Sequence, residues 1–251
     1  MAAASRYIGT AGWNVPKRYA DGFPSEGSHL ARYAQRLNAV EINSSFYRPH
    51  RRVTYERWTA SVPDDFRFAV KIPKAITHDR RLAGCDDLLA RFVFEVSGLG
   101  DKLAVLLVQV PPKLAYDGAV APGFFRRLQD SSEAAIVCEP RHPSWFAPEV
   151  EEALVDSRIA RVAADPEPAP GAGSPGGWTG LSYYRMHGAP RIYYSDYNAD
   201  ALAGLDQRLN DRSALGPVWC IFDNTAAFAA LGNALTLSGC DRMGAIHPFS
   251  L

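Results

Sequence analysis

Eight short apolar runs, helix-forming segments between them, and a length of 251 residues predict an α/β chain built as a TIM-like (β/α)8 barrel with a parallel closed sheet. The length suits one barrel domain over residues 1–251, and 47% hydrophobic residues can fill a large core. A doubly wound open sheet would carry a Gly-rich phosphate turn after its first strand. The sequence there is "GTAGW" (9–13), which lacks the GxGxxG spacing, so the barrel is favoured and no nucleotide cofactor is expected.

The elements follow in order. "RYIGTAGW" (6–13) leads to the helix-forming "GSHLARYAQRLN", and "AVEINSSF" (39–46) leads to "TYERWTAS". "FRFAVKIP" (66–73) precedes "DDLLARFVFEVSGLG", and "LAVLLVQVPP" (103–112) precedes "GFFRRLQD". "AIVCEPRH" (135–142) precedes "APEVEEALVDSR". The sixth run, "ARVAADP" (160–166), is followed by "EPAPGAGSPGGW" (167–178), too rich in Pro and Gly for a helix. An irregular loop is expected in place of the sixth crossover helix, bordering the C-terminal mouth of the barrel. "LSYYRMHG" (181–188) then leads to "ADALAGLDQRLND", and "VWCIFDNT" (218–225) to "TAAFAALGNAL".

Alternate residues of a strand face the same side. One parity of these runs gives Thr10, Glu41 and Asn43, Lys71, Gln109, Glu139 and Arg141, Asp165, Arg185 and His187, and Asp223. Residues before them in the same phase are small or apolar: Ile8, Ala69, Leu107, Val137, Ala163, Tyr183 and Ile221. Each strand thus fills the interior and ends on a polar group, at the barrel end where active sites are built.

Glu139, Glu41, Asp165, His187 and Asp223 are the candidate acid/base groups. Asn43, Lys71, Gln109, Arg141, Arg185, Asn224, Trp13, Tyr47 and His142 are candidates for substrate binding. The cations suit a phosphate or carboxylate, and the aromatics a sugar face. A divalent metal held by Glu139, Asp165, His187 and Asp223 is one option, although no HxH or HExxH spacing supports it. The structural alternative is an ion-pair network that closes the barrel, which is costly to desolvate.

Lys plus Arg and Asp plus Glu both number 27, so no overall field favours nucleic acid, and no stretch has the length of a membrane span. "YRPHRRVTY" (47–55) is read as a solvated loop ahead of a helix. The four cysteines show no CxxC spacing, and no apolar signal core precedes the first run, so a reduced, cytoplasmic protein is expected. No GxSxG motif supports a serine nucleophile.

"IGTAGW", "FPSEGSHLARYAQRLNAVEINSSFYRPHRRVTYERW", "FRFAVKIPKAITH", "LLVQVPP", "EPRHPSWF", "ARVAADP", "YYRMHGAPRIYYSDY" and "WCIFDNT" together resemble the YecE-like proteins, domain of unknown function seventy-two. The resemblance spans nearly the whole chain and implies a TIM-like barrel. It brings no established activity and no assigned catalytic residues. The residues themselves point to a barrel-mouth enzyme for a small anionic or sugar-like substrate, acting by acid/base hydrolysis or isomerisation. A non-catalytic binder of a phosphate-bearing ligand or nucleic-acid end, and an inert scaffold, are the alternatives.

Overall fold

A computed structural model describes residues 5–239. Ten strands form: β1 (Arg6–Thr10), β2 (Ala39–Ile42), β3 (Arg67–Lys71), β4 (Leu103–Gln109), β5 (Ala135–Glu139), β6 (Ala160–Arg161), β7 (Ala163–Asp165), β8 (Gly176–Gly177), β9 (Ser182–Met186) and β10 (Val218–Phe222). Between them lie α1 (His29–Tyr33), α2 (Arg52–Ala60), α3 (Asp86–Val96), α4 (Ala121–Ser131), α5 (Pro148–Asp156) and α6 (Ala199–Ser213), with α7 (Ala229–Ser238) after β10. The alternation of buried apolar strands with amphipathic helices produces the TIM-like α/β architecture that the sequence pattern predicts.

The ladders fall into two sheets. One has the order β2-β3-β4-β5-β6-β8 and the other β1-β10-β9-β7, parallel throughout except for the β6–β8 pair. The sheets share one stretch of chain, because β6 and β7 are halves of the sixth strand, interrupted at Val162. The first half pairs with β5 and the second with β9.

At the other junction β1 meets β2 through an isolated bridge, Ala11 to Glu41, and the Gly12 N–H donates to Glu41 O at 2.8 Å. Side chains make up the rest of this seam. The buried Tyr33 hydroxyl accepts from Thr10 N and donates to Ala39 O, each at 2.9 Å. Asn38 does the same lower down, accepting from Ile8 N at 3.0 Å and donating to Arg6 O at 2.7 Å.

Residues 166–181 hold no helix. The loop leaves the mouth end of the sixth strand directly after Asp165, as expected, but does not stay there. It runs back along the outer face of the sixth strand, where Ala164 N donates to Ala172 O and Arg161 donates to Gly171 O and Ser174 O. It occupies the place of a crossover helix and does not roof the mouth.

The apolar filling is in two layers. Ala39, Ala69, Val105, Leu107, Val137, Ala160, Val162, Tyr183, Trp219 and Ile221 pack inside the strands, and the larger outer layer packs the strands' other face against the helices. Ile8 and Ala163 belong to the outer layer, so the expected phases of the first and sixth strands are reversed. Thr10 turns outward to Tyr33, and Asp165 turns outward as well.

The seam yields a measurable expectation. Tyr33→Phe keeps the ring but strands the Thr10 amide and the Ala39 carbonyl in an apolar setting. The cost expected is about 1–3 kcal/mol. A denaturant melt at unchanged m-value measures it, and amides of β1 should lose hydrogen-exchange protection before those of β4.

Candidate functional site

At the C-terminal ends of the strands, the inward phase of β2, β3, β4, β5, β9 and β10 brings charged groups together in the interior. Arg185 on β9 is the centre, with no solvent exposure. Its Nε and Nη2 donate to the two oxygens of Glu41 at 3.1 and 2.8 Å. Nη1 donates to Glu139 Oε2 at 2.6 Å, and Nη2 also reaches Asp223 Oδ2 at 2.9 Å. Tyr183, two residues earlier on the same face, donates its hydroxyl to Glu41 Oε2 at 2.9 Å. One guanidinium therefore satisfies carboxylates from three strand ends, and it joins the two sheets: β9 lies in one, β2 and β5 in the other.

Above it sits His187. Its Nδ1 lies 3.1 Å from Asp223 Oδ2 and its Nε2 3.2 Å from Glu139 Oε1. With an acceptor at each nitrogen, the doubly protonated ring fits best. Burial opposes the charge, but Glu139 and the two hydrogen bonds outweigh burial and raise the His187 pKa. Burial would raise Glu139, yet Arg185, His187 and Arg141 hold its carboxyl well below the usual range. Asp223 is lowered too, against burial, chiefly by Arg185. Arg141 reaches Glu139 Oε1 through Nε at 3.2 Å and Nη2 at 2.9 Å, with a quarter of its side chain exposed.

Lys71 closes the cluster on the β3 side. It is only 6% exposed, and its ammonium makes no ion pair among the described residues. Nζ lies over the Phe46 ring, 4.1 Å from the centroid. Burial first, then the neighbouring Arg185, lowers its pKa from 10.5 to about 8. The loop after β2 places Phe46 there, because Ser45 Oγ donates to Ile42 O and Lys71 O at 2.8 and 2.6 Å.

The predicted residues separate on this geometry. Glu41, Lys71, Gln109, Glu139, Arg141, Arg185, His187 and Asp223 come together at the inward-facing strand ends. Arg185 is a correction within that group: each nitrogen of its guanidinium is engaged by carboxylates, so it organises the cluster and is not free to bind an anion. Asp165 is a second correction. Its side chain lines outer-face clefts with Met186 and Arg208, while its carbonyl accepts the His187 amide at 2.7 Å and so places the ring. The four-residue metal set is not assembled, since Asp165 points away and Arg185 lies between the other acids. Among the described residues no group of His, Cys, Asp and Glu has metal-holding geometry.

Asn224 is the third correction. Buried in the opposite phase, it donates to Ser195 O and to Asn233 on α7, tying that helix to the strand end. His142 caps a turn, Nδ1 accepting from Ser144 N at 3.2 Å. Trp13, Asn43 and Tyr47 line a separate cleft of about 530 Å³ between the loops after β1 and β2, with Ser44 and His29.

Two contributors, Tyr183 and Tyr193, escape the strand-phase reading, and a third, His78, sits on a loop after the third run that can reach the mouth. Tyr183 reads as barrel filling, although its hydroxyl needs a buried partner. His78, on the turn after β3, lies edge-on to Phe46 with centroids 5.0 Å apart and feels the Lys71 and Arg141 charges. Tyr193 stands edge-on to His187 at 5.9 Å, with a left-handed φ of 70° rarely adopted by a bulky residue. His78 is marked by its place in "PKAITHDRRL", directly after the third run, and the "RIYYSDY" cluster after the seventh strand is a signal for Tyr193.

A TIM-like α/β chain with ionisable groups gathered at its strand ends is the class this structure defines. The family model for "Protein of unknown function DUF72" matches residues 7–244, and the chain belongs to that family. It is 32% identical over 168 residues to the UPF0759 protein YecE of Escherichia coli K12, covering 64% of this chain and 60% of that protein. The chain thus spans about three fifths of that relative's length in the match. A solved DUF72 family protein from Thermotoga maritima superposes with a TM-score of 0.77 at 21% identity, over 95% of this chain and 99% of that one. A sugar phosphate isomerase/epimerase from Parabacteroides distasonis shares the fold more distantly, with a TM-score of 0.53 at 10% identity over 97% and 98% of the two chains. None of the helices among the described residues is long and apolar enough to cross a membrane.

Two expectations follow from the ion cluster. Glu139→Gln leaves Arg185, Arg141 and His187 short of one charge. Breaking such a buried pair should cost about 3–5 kcal/mol, measured by thermal or urea melts. The second concerns pH. His187 has a raised folded pKa, so its stabilising contribution is complete below pH 6.5, its ordinary value, and is lost as pH rises through the folded value. The stability difference between wild type and His187→Gln should therefore be largest below pH 6.5 and shrink at alkaline pH. A difference that grows with pH would contradict the doubly protonated ring.

Proposed function

We propose that the barrel mouth is an enzyme site for a small substrate carrying a phosphate or carboxylate group, including phosphorylated or acidic sugars, on which it performs acid/base isomerisation or hydrolysis. The observation that carries this reading is Lys71, a buried cation with no carboxylate partner among the described residues. A protein interior leaves an ammonium unpaired at a substantial cost, and a ligand anion would relieve it. Arg141, already partly open to solvent, supplies a second cation with planar donors suited to such a group. Protons are held by His187 between Glu139 and Asp223, as general acid/base chemistry requires.

The roles differ from a simple carboxylate base. Glu139 binds its proton too weakly to serve as a base near neutrality, and it positions and charges His187. His187 acts as the acid. Lys71, with a pKa of about 8, is the group able to accept a proton near neutral pH.

A structural plug is the second reading, favoured by the complete engagement of Arg185 with three acids. Anion binding separates the two. At constant ionic strength, replacing chloride by inorganic phosphate should raise the melting temperature of the wild type. The stabilisation follows RT ln(1 + [L]/Kd), about 2.7 kcal/mol at a hundredfold excess over Kd. Arg141→Gln should reduce the shift, and native mass spectrometry should show an anionic small molecule co-purifying. A phosphate shift of zero, in a protein whose mouth charges are intact, favours the plug.

A further inference from the structure

The amine of Lys71 has a setting that anion binding alone does not require. It ends β3 at the mouth, pointing inward in the same phase as Ala69. Phe46 presents its ring face to Nζ. The titratable groups around it come from five separate segments: Arg185 on β9, Glu139 on β5, Glu41 on β2, Asp223 after β10, and His78, whose ring is kept neutral by burial, on the turn 75–79. None of the three acids bonds to Nζ, because Arg185, Arg141 and His187 already occupy them. An amine desolvated against an aromatic ring and set near a fixed guanidinium is in the environment that activates lysine as a nucleophile.

Resting on the anionic-substrate reading above, we propose that Lys71 is a covalent nucleophile, its Nζ forming an imine with the carbonyl carbon of a small aldehyde or ketone that bears a carboxylate or phosphate.

The step balances without an external oxidant or reductant. The neutral amine lone pair forms the C–N bond while the carbonyl π electrons move to oxygen, and one proton passes from nitrogen to that oxygen. The carbinolamine oxygen then takes a second proton, from His187, and leaves as water as the remaining nitrogen lone pair forms C=N. The product is a protonated imine, whose positive charge withdraws electrons from the adjacent carbon and eases removal of a proton or cleavage of a bond there. Arg141 is placed to hold the substrate's anionic group. An imine also reconciles the two properties of Lys71, since the cation the cluster tolerates is kept in the covalent adduct.

The test is reductive trapping. Full-length protein is incubated with glyoxylate, and separately with glycolaldehyde phosphate, in the presence of cyanoborohydride, then digested and mapped by mass spectrometry. The expected result is a reduced adduct on the Lys71 peptide at least tenfold above that on the exposed Lys17, Lys74 and Lys113. Its rate should rise through pH 8, well below the ordinary lysine value of 10.5. Lys71→Arg keeps a cation and forms no imine, so it should retain the phosphate-induced thermal shift and lose the adduct, while Lys74→Arg should keep both. If the arginine variant does not fold, the mapping on wild-type protein decides by itself. A phosphate shift with adducts only on exposed lysines overturns the imine and leaves anion binding standing. No phosphate shift and no Lys71 adduct overturns both.

Discussion

The buried Arg185 guanidinium is the interaction on which the rest of this mouth depends. A cation with no contact with water is tolerated only if nearly every N–H meets an acceptor, and here the acceptors come from β2, β5 and the end of β10. That requirement fixes the orientation of Glu41, Glu139 and Asp223. Their remaining lone pairs in turn fix Tyr183, Arg141 and His187. Among the described residues, Lys71 is the buried cation of the cluster left without a carboxylate when these pairings are complete. The mouth is thus distinguished less by a large cavity than by an imbalance of charge in a place where imbalance is expensive.

Much of this was legible in the sequence, because two-residue periodicity is a strong constraint where one face of a strand fills a barrel and the other packs on helices. In β2, β3, β4, β5, β9 and β10 the apolar members of the inward phase, such as Ala69, Leu107 and Val137, carry directly to Lys71, Gln109 and Glu139 at the strand ends. The rule failed where its premise failed. The sixth strand has a loop on its outer face instead of a helix, so that face accepts Arg161, which pairs with Glu151 on α5, and Asp165. Polarity there marks the outside. In β1, Thr10 is satisfied outward by Tyr33 from α1, a partner distant in sequence.

Other parts of the site were not legible for a different reason. Which charges pair, and which remain free, depends on distances between strand ends that are far apart in the chain. Parity puts Arg185 and Lys71 in the same class, yet one is consumed by three acids and the other faces an aromatic ring. His78 and Tyr193 arrive on loops whose course no periodic pattern predicts. Asn224 illustrates the reverse error, since it lies next to a site residue in sequence and faces α7 in space.

The seam between β1 and β2 bears on how the molecule holds its shape. An ordinary ladder spreads its grip over many interchangeable backbone bonds, whereas this joint leans on two side chains, Tyr33 and Asn38, and a single bridge. Glu41, at the end of β2 beside that joint, is also clasped across the interior by Arg185 of the opposite sheet. The cluster thus acts as a tie rod spanning a wall with a weak stitch. The ions that gather at the mouth also brace the wall beside the stitch, so neutralising Glu41 would loosen both at once.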